Sequence, residues 1–382
     1  MEGPRIPFNK PFVVGKELYY IAQAVMDGHL SGDGHYTKLC HGWLEAQLGC
    51  ARAFLTHSCT AALEMSGMLA DLQPGDEVIM PSFTFVSTAN AMVLRGAVPV
   101  FVDIRPDSLN LDENLIEAAV TPHTRMIMAV HYAGMPCAMD EILAIGRRHG
   151  LMVVEDAAQG LLTRYKGKAL GTIGDLGCLS FHETKNVISG EGGALLVNAP
   201  ELVKRAEIIR EKGTNRCQFF RGEVDKYTWV DVGSSYLPSE LVGAFLYAQL
   251  EHADEINAVR RSIFERYCQS LLPLERQGRL RLPYTTPDCV ANGHMFYIIT
   301  GSLEERTRLI AYLKARGILA VFHYVPLHSS PAGLRYGRVS GYLGVTDAIS
   351  ERLLRLPLYY GMSDLDLERV VSTILGFYGA EH

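Results

Sequence analysis

Leu151-Met-Val-Val-Glu-Asp-Ala-Ala-Gln159 is a short aliphatic run that ends in two carboxylates and a small-residue turn. It reads as a buried strand delivering polar groups to the edge of a sheet. Working outward, the same theme recurs from about Asp76 to Asn198. Glu77-Val-Ile-Met80, Val98-Pro-Val-Phe-Val102, Met126-Ile-Met-Ala-Val130, Cys178-Leu-Ser-Phe181 and Ala194-Leu-Leu-Val197 are comparable runs, with turns and helical patterns between them. Strands apolar on both faces that alternate with helices predict an α/β fold with a mostly parallel central sheet covered on both sides. Such sheets bind ligands at the carboxyl ends of their strands, so polar residues there are the candidates for chemistry.

On either side of this block the pattern changes. Glu17 to Met26 has the spacing of an amphipathic helix, with Leu18, Ile21, Ala22 and Val25 on one face. Helices are also expected over Thr60–Leu72, Pro200–Lys212 and, as one or two long ones, from Ser239 to about Tyr267. From about Arg279 onward, strands (Met295–Thr300, Leu319–His323) mix with helices (Leu303–Ala315, Leu365–Tyr378), which predicts a smaller α+β domain. The expected division is 1–254 and 255–382.

Composition narrows the function classes. The 36 Lys and Arg against 42 Asp and Glu give a net charge of −6 with no run of like charges, which argues against a nucleic-acid-binding surface. No stretch reaches the roughly 18 uninterrupted apolar residues of a membrane span, and Met1–Lys10 has no basic region followed by an apolar core. The eight cysteines are scattered without a CxxC pair, as expected in a reducing, cytoplasmic compartment. HExxH, P-loop and post-strand GxGxxG motifs are absent, so neither a metal nor a dinucleotide is expected.

Four constellations carry chemistry. Asp156 ends a strand, where its carboxylate can hold a cation such as a protonated pyridine nitrogen or simply cap a turn. Lys185 lies in Ser180-Phe-His-Glu-Thr-Lys-Asn186, ahead of the glycine-dense Ser189-Gly-Glu-Gly-Gly193. A lysine there is either a solvated loop residue or, if desolvated, an amine nucleophile of lowered pKa. Ser58, Cys59 and Thr60 precede a helical pattern, a place that suits an N-cap or a phosphate. Phe85, in the Pro81–Asn90 segment, is a core ring or one that stacks on a flat heteroaromatic ligand. A carboxylate, a loop lysine and a helix-start phosphate cradle on one sheet match the needs of pyridoxal 5′-phosphate.

These segments, together with Ile6-Pro-Phe-Asn, Leu30-Ser-Gly-Asp-Gly34, Val130-His-Tyr-Ala-Gly134 and Leu356-Pro-Leu-Tyr359, resemble the DegT/DnrJ/EryC1/StrS sugar aminotransferases, which have the fold-type I architecture of pyridoxal phosphate enzymes. The resemblance spans essentially the whole chain. It implies that Lys185 holds the cofactor as a Schiff base and moves the proton during transfer. It further implies that Asp156 pairs with the pyridinium nitrogen and Gln159 with the phenolic oxygen. Ser58, Cys59, Thr60 and Ser180 would hold the phosphate, and Phe85 would stack on the ring. In the related dehydratase branch a histidine replaces the lysine, so Lys185 points to amino transfer.

Arg210-Glu-Lys-Gly-Thr-Asn-Arg216, Gln218-Phe-Phe-Arg221, Asp225-Lys-Tyr-Thr-Trp229 and Phe322-His-Tyr-Val-Pro-Leu-His328 are the distinctive stretches. They resemble the branch that moves an amino group from L-glutamate to C4 of a dTDP-4-keto-6-deoxy sugar. Arg210, Lys212, Arg216 and Arg221 are candidates for holding the anionic nucleotide sugar, or belong to a surface loop. His323 and His328 are candidates for the sugar pocket, or are core and loop histidines. Many members carry a polar Asn-Tyr-Arg motif before the helix that starts at Ser239-Glu240, whereas this chain reads Ser234-Ser-Tyr-Leu-Pro238. The resemblance also implies a homodimer with its active site at the interface.

Overall fold

The computed structural model describes residues 5–379, so the first four residues of Met1–Lys10 lie outside it. An eight-stranded sheet dominates, in the order Arg52–Thr56, Gly193–Val197, Leu176–Ser180, Met152–Asp156, Thr124–Val130, Glu77–Pro81, Val98–Val102 and Arg338–Val339. From Leu176–Ser180 to Arg338–Val339 every pairing is parallel. Gly193–Val197 runs against both neighbours, because residues 181–192 return the chain by a tight turn with no crossover helix.

Alternate residues of each strand feed separate cores. Val78, Met80, Met126 and Met128 pack on one face, Ile79, Ile127 and Ala129 on the other. This explains the uninterrupted apolar runs: both faces are covered by helices. Several elements carry weaker periodicity and emerge only from the fold, among them the helices His35–Leu48 and Val86–Val93 and the edge strand Arg52–Thr56, while the strongly amphipathic helix Met139–His149 is one of the helical patterns between the parallel strands. The Ser239–Tyr267 pattern resolves into Glu240–Leu250 and Ala253–Arg276. At the first of these, the buried Glu240 carboxylate accepts from the N–H groups of Gly34, Tyr36 and Thr37, closing the start of His35–Leu48. A Cβ at Gly34 would sit 2.5 Å from that carboxyl carbon, which accounts for the glycine.

A second unit follows. Phe296–Ile299, Leu353–Leu356 and Val321–Phe322 form an antiparallel sheet with Leu353–Leu356 in the middle. Its core draws on Ala253–Arg276, Leu303–Lys314 and Asp364–Gly379, and also takes in Ile6 from the start of the chain. Residues 338–339 cross back to the edge of the large sheet. Among the described residues no helix is long and apolar enough to cross a membrane.

Candidate active site

The strands Arg52–Thr56, Leu176–Ser180, Met152–Asp156, Thr124–Val130 and Glu77–Pro81 all end at one edge of the sheet, and Gly193–Val197 begins there. A cavity of about 830 Å³ opens at that edge and is roofed by the second unit. Ser58, Cys59, Thr60, Phe85, Asp156, Gln159, Ser180, Lys185 and His323 all line it. The sequence therefore disperses over more than 250 positions what topology gathers into one space.

Asp156 is 6% exposed. Its Oδ2 accepts from Thr88 Oγ1 at 2.7 Å and its Oδ1 from the Ala158 N–H at 3.2 Å. The single proton of Thr88 is thereby committed, so the 2.9 Å contact between Thr84 Oγ1 and Thr88 Oγ1 has Thr84 as donor. A carboxylate clamped in this way at a strand end keeps a fixed direction toward a cationic nitrogen.

Lys185 sits half-buried on the turn between Ser180 and Gly193, its N–H donating to the His182 carbonyl at 2.9 Å. Burial lowers the pKa of its ammonium from the ordinary 10.5; Asp156 opposes the shift and Arg355 adds to it. Next to it, Asn186 is buried and tied on three sides. Its Nδ2 donates to Asn257 Oδ1 (2.7 Å) and the Asn292 carbonyl (3.0 Å), and its Oδ1 lies 2.9 Å from His294 Nδ1. The lysine is thus carried on an anchored turn rather than a loose loop.

Opposite, the helix Cys59–Leu69 aims its N-terminus into the cavity, with Ser58 Oγ as N-cap acceptor for Ala61 N–H at 3.1 Å. Gly193 backs directly onto this turn: a Cβ there would lie 2.4 Å from both the Cys59 nitrogen and the Ser58 carbonyl carbon. The helix start is therefore held by close backbone contact and presents amides and hydroxyls to an anion. Gln159 is oriented without ambiguity, since its Oε1 must face the Ala133 N–H (2.6 Å), which sends its Nε2 donor toward Tyr324 Oη at 3.3 Å. Phe85 leaves 57% of its surface exposed toward the opening.

The cradle at a helix start, the fixed carboxylate, the turn lysine and an exposed ring fit pyridoxal 5′-phosphate. The comparisons agree. A model of the DegT/DnrJ/EryC1/StrS aminotransferase family matches residues 14–375. The chain belongs to this family. GDP-perosamine synthase of Caulobacter vibrioides is 33% identical over 380 residues, covering 97% of this chain and 98% of that one. The spore coat polysaccharide biosynthesis protein SpsC of Bacillus subtilis is 32% identical over 380 residues, covering 97% and 96%. Among solved structures, S. venezuelae DesV in complex with a ketimine intermediate superposes with a TM-score of 0.89 at 30% identity, covering 98% of this chain and 99% of that one. The PLP form of the putative sugar aminotransferase Spr1654 from Streptococcus pneumoniae gives 0.89 at 25% identity, each chain covered to 98%. This DegT/DnrJ/EryC1/StrS aminotransferase is an α/β, fold-type I protein, and its cofactor is pyridoxal 5′-phosphate.

The basic candidates lie elsewhere in the subunit. Arg210, Arg216 and Arg221 line a separate cavity of about 510 Å³ that shares no lining residue with the first. Arg210 is 3% exposed, ion-paired to Asp33 at 2.7 Å and bonded to the Leu55 carbonyl. Arg221 pairs with Glu207 and Glu223, and Arg216 and Lys212 approach Glu211. Lys212 and His328 line neither cavity; His328 Nδ1 bonds Ser82 Oγ at 2.8 Å. Within this chain, then, Arg210, Lys212, Arg216, Arg221 and His328 stand apart from the cavity that Lys185 lines. Tyr236, at the position of the family's polar motif, is buried in its own subunit and donates to Glu64 at 3.0 Å, while Ser235 is exposed. Thr84, Thr88, Asn186, Tyr324 and Arg355 complete the site; each but Arg355 stands inside a segment singled out from sequence, yet polar residues of their kind are common and only the fold shows which way they face.

Proposed function

We propose that the protein transfers the amino group of L-glutamate to C4 of dTDP-4-dehydro-6-deoxy-D-glucose, giving dTDP-4-amino-4,6-dideoxy-D-galactose for cell-surface polysaccharide of the enterobacterial common antigen type. It would thus be a dTDP-4-amino-4,6-dideoxygalactose transaminase acting in the cytoplasm. The observation that carries the reading is Lys185, desolvated on an anchored turn, facing Asp156 across one cavity. The distinctive stretches around Arg210–Trp229 and Phe322–His328 support the substrate, as does likeness to a perosamine synthase and a polysaccharide biosynthesis protein.

When bound, the cofactor supplies an electron sink for the carbon that loses and regains a proton. The chain supplies the rest. Ser58, Cys59, Thr60 and Ser180 would hold the phosphate; Asp156, braced by Thr88, would hold the ring nitrogen in its protonated form; Gln159 would donate to the phenolic oxygen, and Phe85 would cover a face of the ring. Lys185 Nζ would hold the cofactor and, as a free amine, would take up and return the proton of the donor carbon. Its lowered pKa favours the neutral amine that this task requires. His323, which lines the cavity with its Nδ1 3.1 Å from Tyr132 Oη, faces the sugar.

Arg210, Lys212, Arg216, Arg221 and His328 are proposed nucleotide-sugar contacts in a homodimer, with the exposed Lys212, Arg216 and Arg221 reaching the site of the second copy and Arg210 buried on Asp33 behind them. The exposed Phe220, Tyr227, Trp229 and Val230, together with Leu18, Tyr19 and Met26, are apolar surface suited to such an interface. We divide each subunit at 254/255, the large part carrying the cofactor.

The test is incubation with L-glutamate and a panel of 4-keto nucleotide sugars, following 2-oxoglutarate release and reading product stereochemistry by NMR. Amination of the dTDP-6-deoxy sugar with an axial C4 amine is expected. An equatorial amine, or preference for another nucleotide, would replace the substrate assignment; absence of any glutamate-driven change in the cofactor spectrum would overturn the reaction.

A further inference from the structure

The cavity holds a cation that none of the roles above employs. Arg355 lies on the central strand of the small sheet, in register with Tyr297 on one side and Val321 on the other. Its guanidinium stacks 4.6 Å from the centre of the Phe8 ring, and Nη2 donates to the Phe322 carbonyl at 3.2 Å. Its Nε is buried with no hydrogen-bond partner among the described residues. No ion pair to Arg355 is found among the described residues either, in contrast to Arg210, which keeps Asp33.

The surroundings make this unusual. Among the described residues, the only carboxylate besides Asp156 that lines the cavity is Glu191, exposed at its mouth, whereas Lys185, Arg260 and Arg355 are cationic. Arg260 is buried and already engaged by the carbonyls of Gly293, His294 and Leu358. Arg355 is near enough to Lys185 to oppose its charge, and Tyr324, which takes the Gln159 donor, is near enough to Arg355 to favour its charge. Arg355 is half-buried and has no counter-ion among the described residues, so an anionic ligand can supply one, and its planar fork suits a carboxylate.

We propose that Arg355 seats a carboxylate of the amino-acid donor and so sets the donor's carbon beside Lys185. This rests on the aminotransferase reading. Two carboxylates of glutamate have the required chemistry, the α and the side-chain one, and the experiment separates them.

Arg355→Gln and Arg355→Lys are prepared as holoenzymes, and each half-reaction is followed separately in the cofactor spectrum. The second-order rate of the glutamate half-reaction is expected to fall about 100-fold in the Gln variant and less in the Lys variant, as for loss of a charged hydrogen-bonded pair. Reaction of the aminated enzyme with the keto sugar should stay within a few-fold. Glutarate binding to the cofactor-free protein, measured by calorimetry, should weaken in parallel. If glutamate and glutamine are slowed alike, the α-carboxylate is held; if their ratio collapses, the side-chain one is. Both half-reactions falling together, or an unchanged glutamate rate with unchanged glutarate affinity, would overturn the proposal. Should the Gln variant fail to fold, the Lys variant carries the same comparison. A wild-type protein whose spectrum ignores glutamate would instead refute the reaction itself.

Discussion

Thr88 Oγ1 donates to Asp156 Oδ2 across 2.7 Å, and Thr84 stands behind Thr88 in the same chain of hydroxyls. The cavity-lining carboxylate of Asp156 is thereby fixed by a residue of the helix Val86–Val93. Thr88→Val keeps the shape and removes the donor. Cofactor affinity and turnover are each expected to drop about tenfold or more, at roughly 1.5–3 kcal/mol for a hydrogen bond to a charged group. Thr88→Ser should recover most of both. Titration of the apoprotein with cofactor checks this; an apoprotein that melts as much earlier as cofactor binding weakens would make Thr88 a packing residue.

Among the described residues Lys185 is the one lysine lining the cavity, and so the one primary amine able to link to the cofactor. Lys185→Ala should bind cofactor noncovalently, lack the yellow absorbance of the lysine-linked form and show no multiple turnover. Lys185→Arg should behave alike despite keeping the charge. Residual steady-state turnover in either variant would remove Lys185 from its role.

Gly193→Ala tests the phosphate cradle. The added methyl would meet the Cys59 nitrogen and Ser58 carbonyl carbon at 2.4 Å, so the helix start must shift. Overpacking of this kind costs typically about 1–3 kcal/mol. The cofactor's dissociation constant, measured by fluorescence, should rise together with that of inorganic phosphate competing for the apoprotein. A crystal structure of the variant with the turn in place would contradict the argument.

His41 connects stability to pH. The Leu55 N–H donates to its Nε2 at 2.9 Å, and burial, with Arg210 and Arg52 nearby, lowers its pKa well below 6.5. The folded protein keeps this imidazole neutral while the unfolded chain protonates it, so unfolding takes up a proton below about pH 6.5. Stability attributable to His41 is present above that pH and falls as pH drops, by up to about 1.4 kcal/mol per unit. His294 and His323 are shifted the same way. Denaturant unfolding at pH 7.5 and 5.5 should show a smaller acid loss for His41→Gln than for wild type.

How far the sequence reveals the protein depends on what kind of signal each part leaves. The aliphatic runs announce the parallel strands because both faces are buried. Asp156 is legible because a charged residue at the end of such a run is conspicuous, and Lys185 because it is the one lysine of a polar turn that runs into a glycine-dense one. Asn186 and Thr88 leave no comparable mark: an Asn or a Thr in a polar turn is ordinary until folding places a partner from another segment against it. Arg355 interrupts a run of leucines, yet its free Nε depends on Phe8 and Phe322, which approach from distant parts of the chain. The reversed direction of Gly193–Val197 is likewise a property of the turn before it and not of its own composition.

The walls of the cavity run from Phe8 to Leu358, and the first and last of them are neighbours in space. During synthesis the lysine turn emerges from the ribosome long before the strand bearing Arg355. A nascent chain stalled before residue 260 therefore owns Ser58, Cys59, Thr60, Ser180 and Lys185 but lacks the roof. Closure of the cavity becomes a late event that marks a finished chain, and a fragment released early should leave the same groups open to solvent.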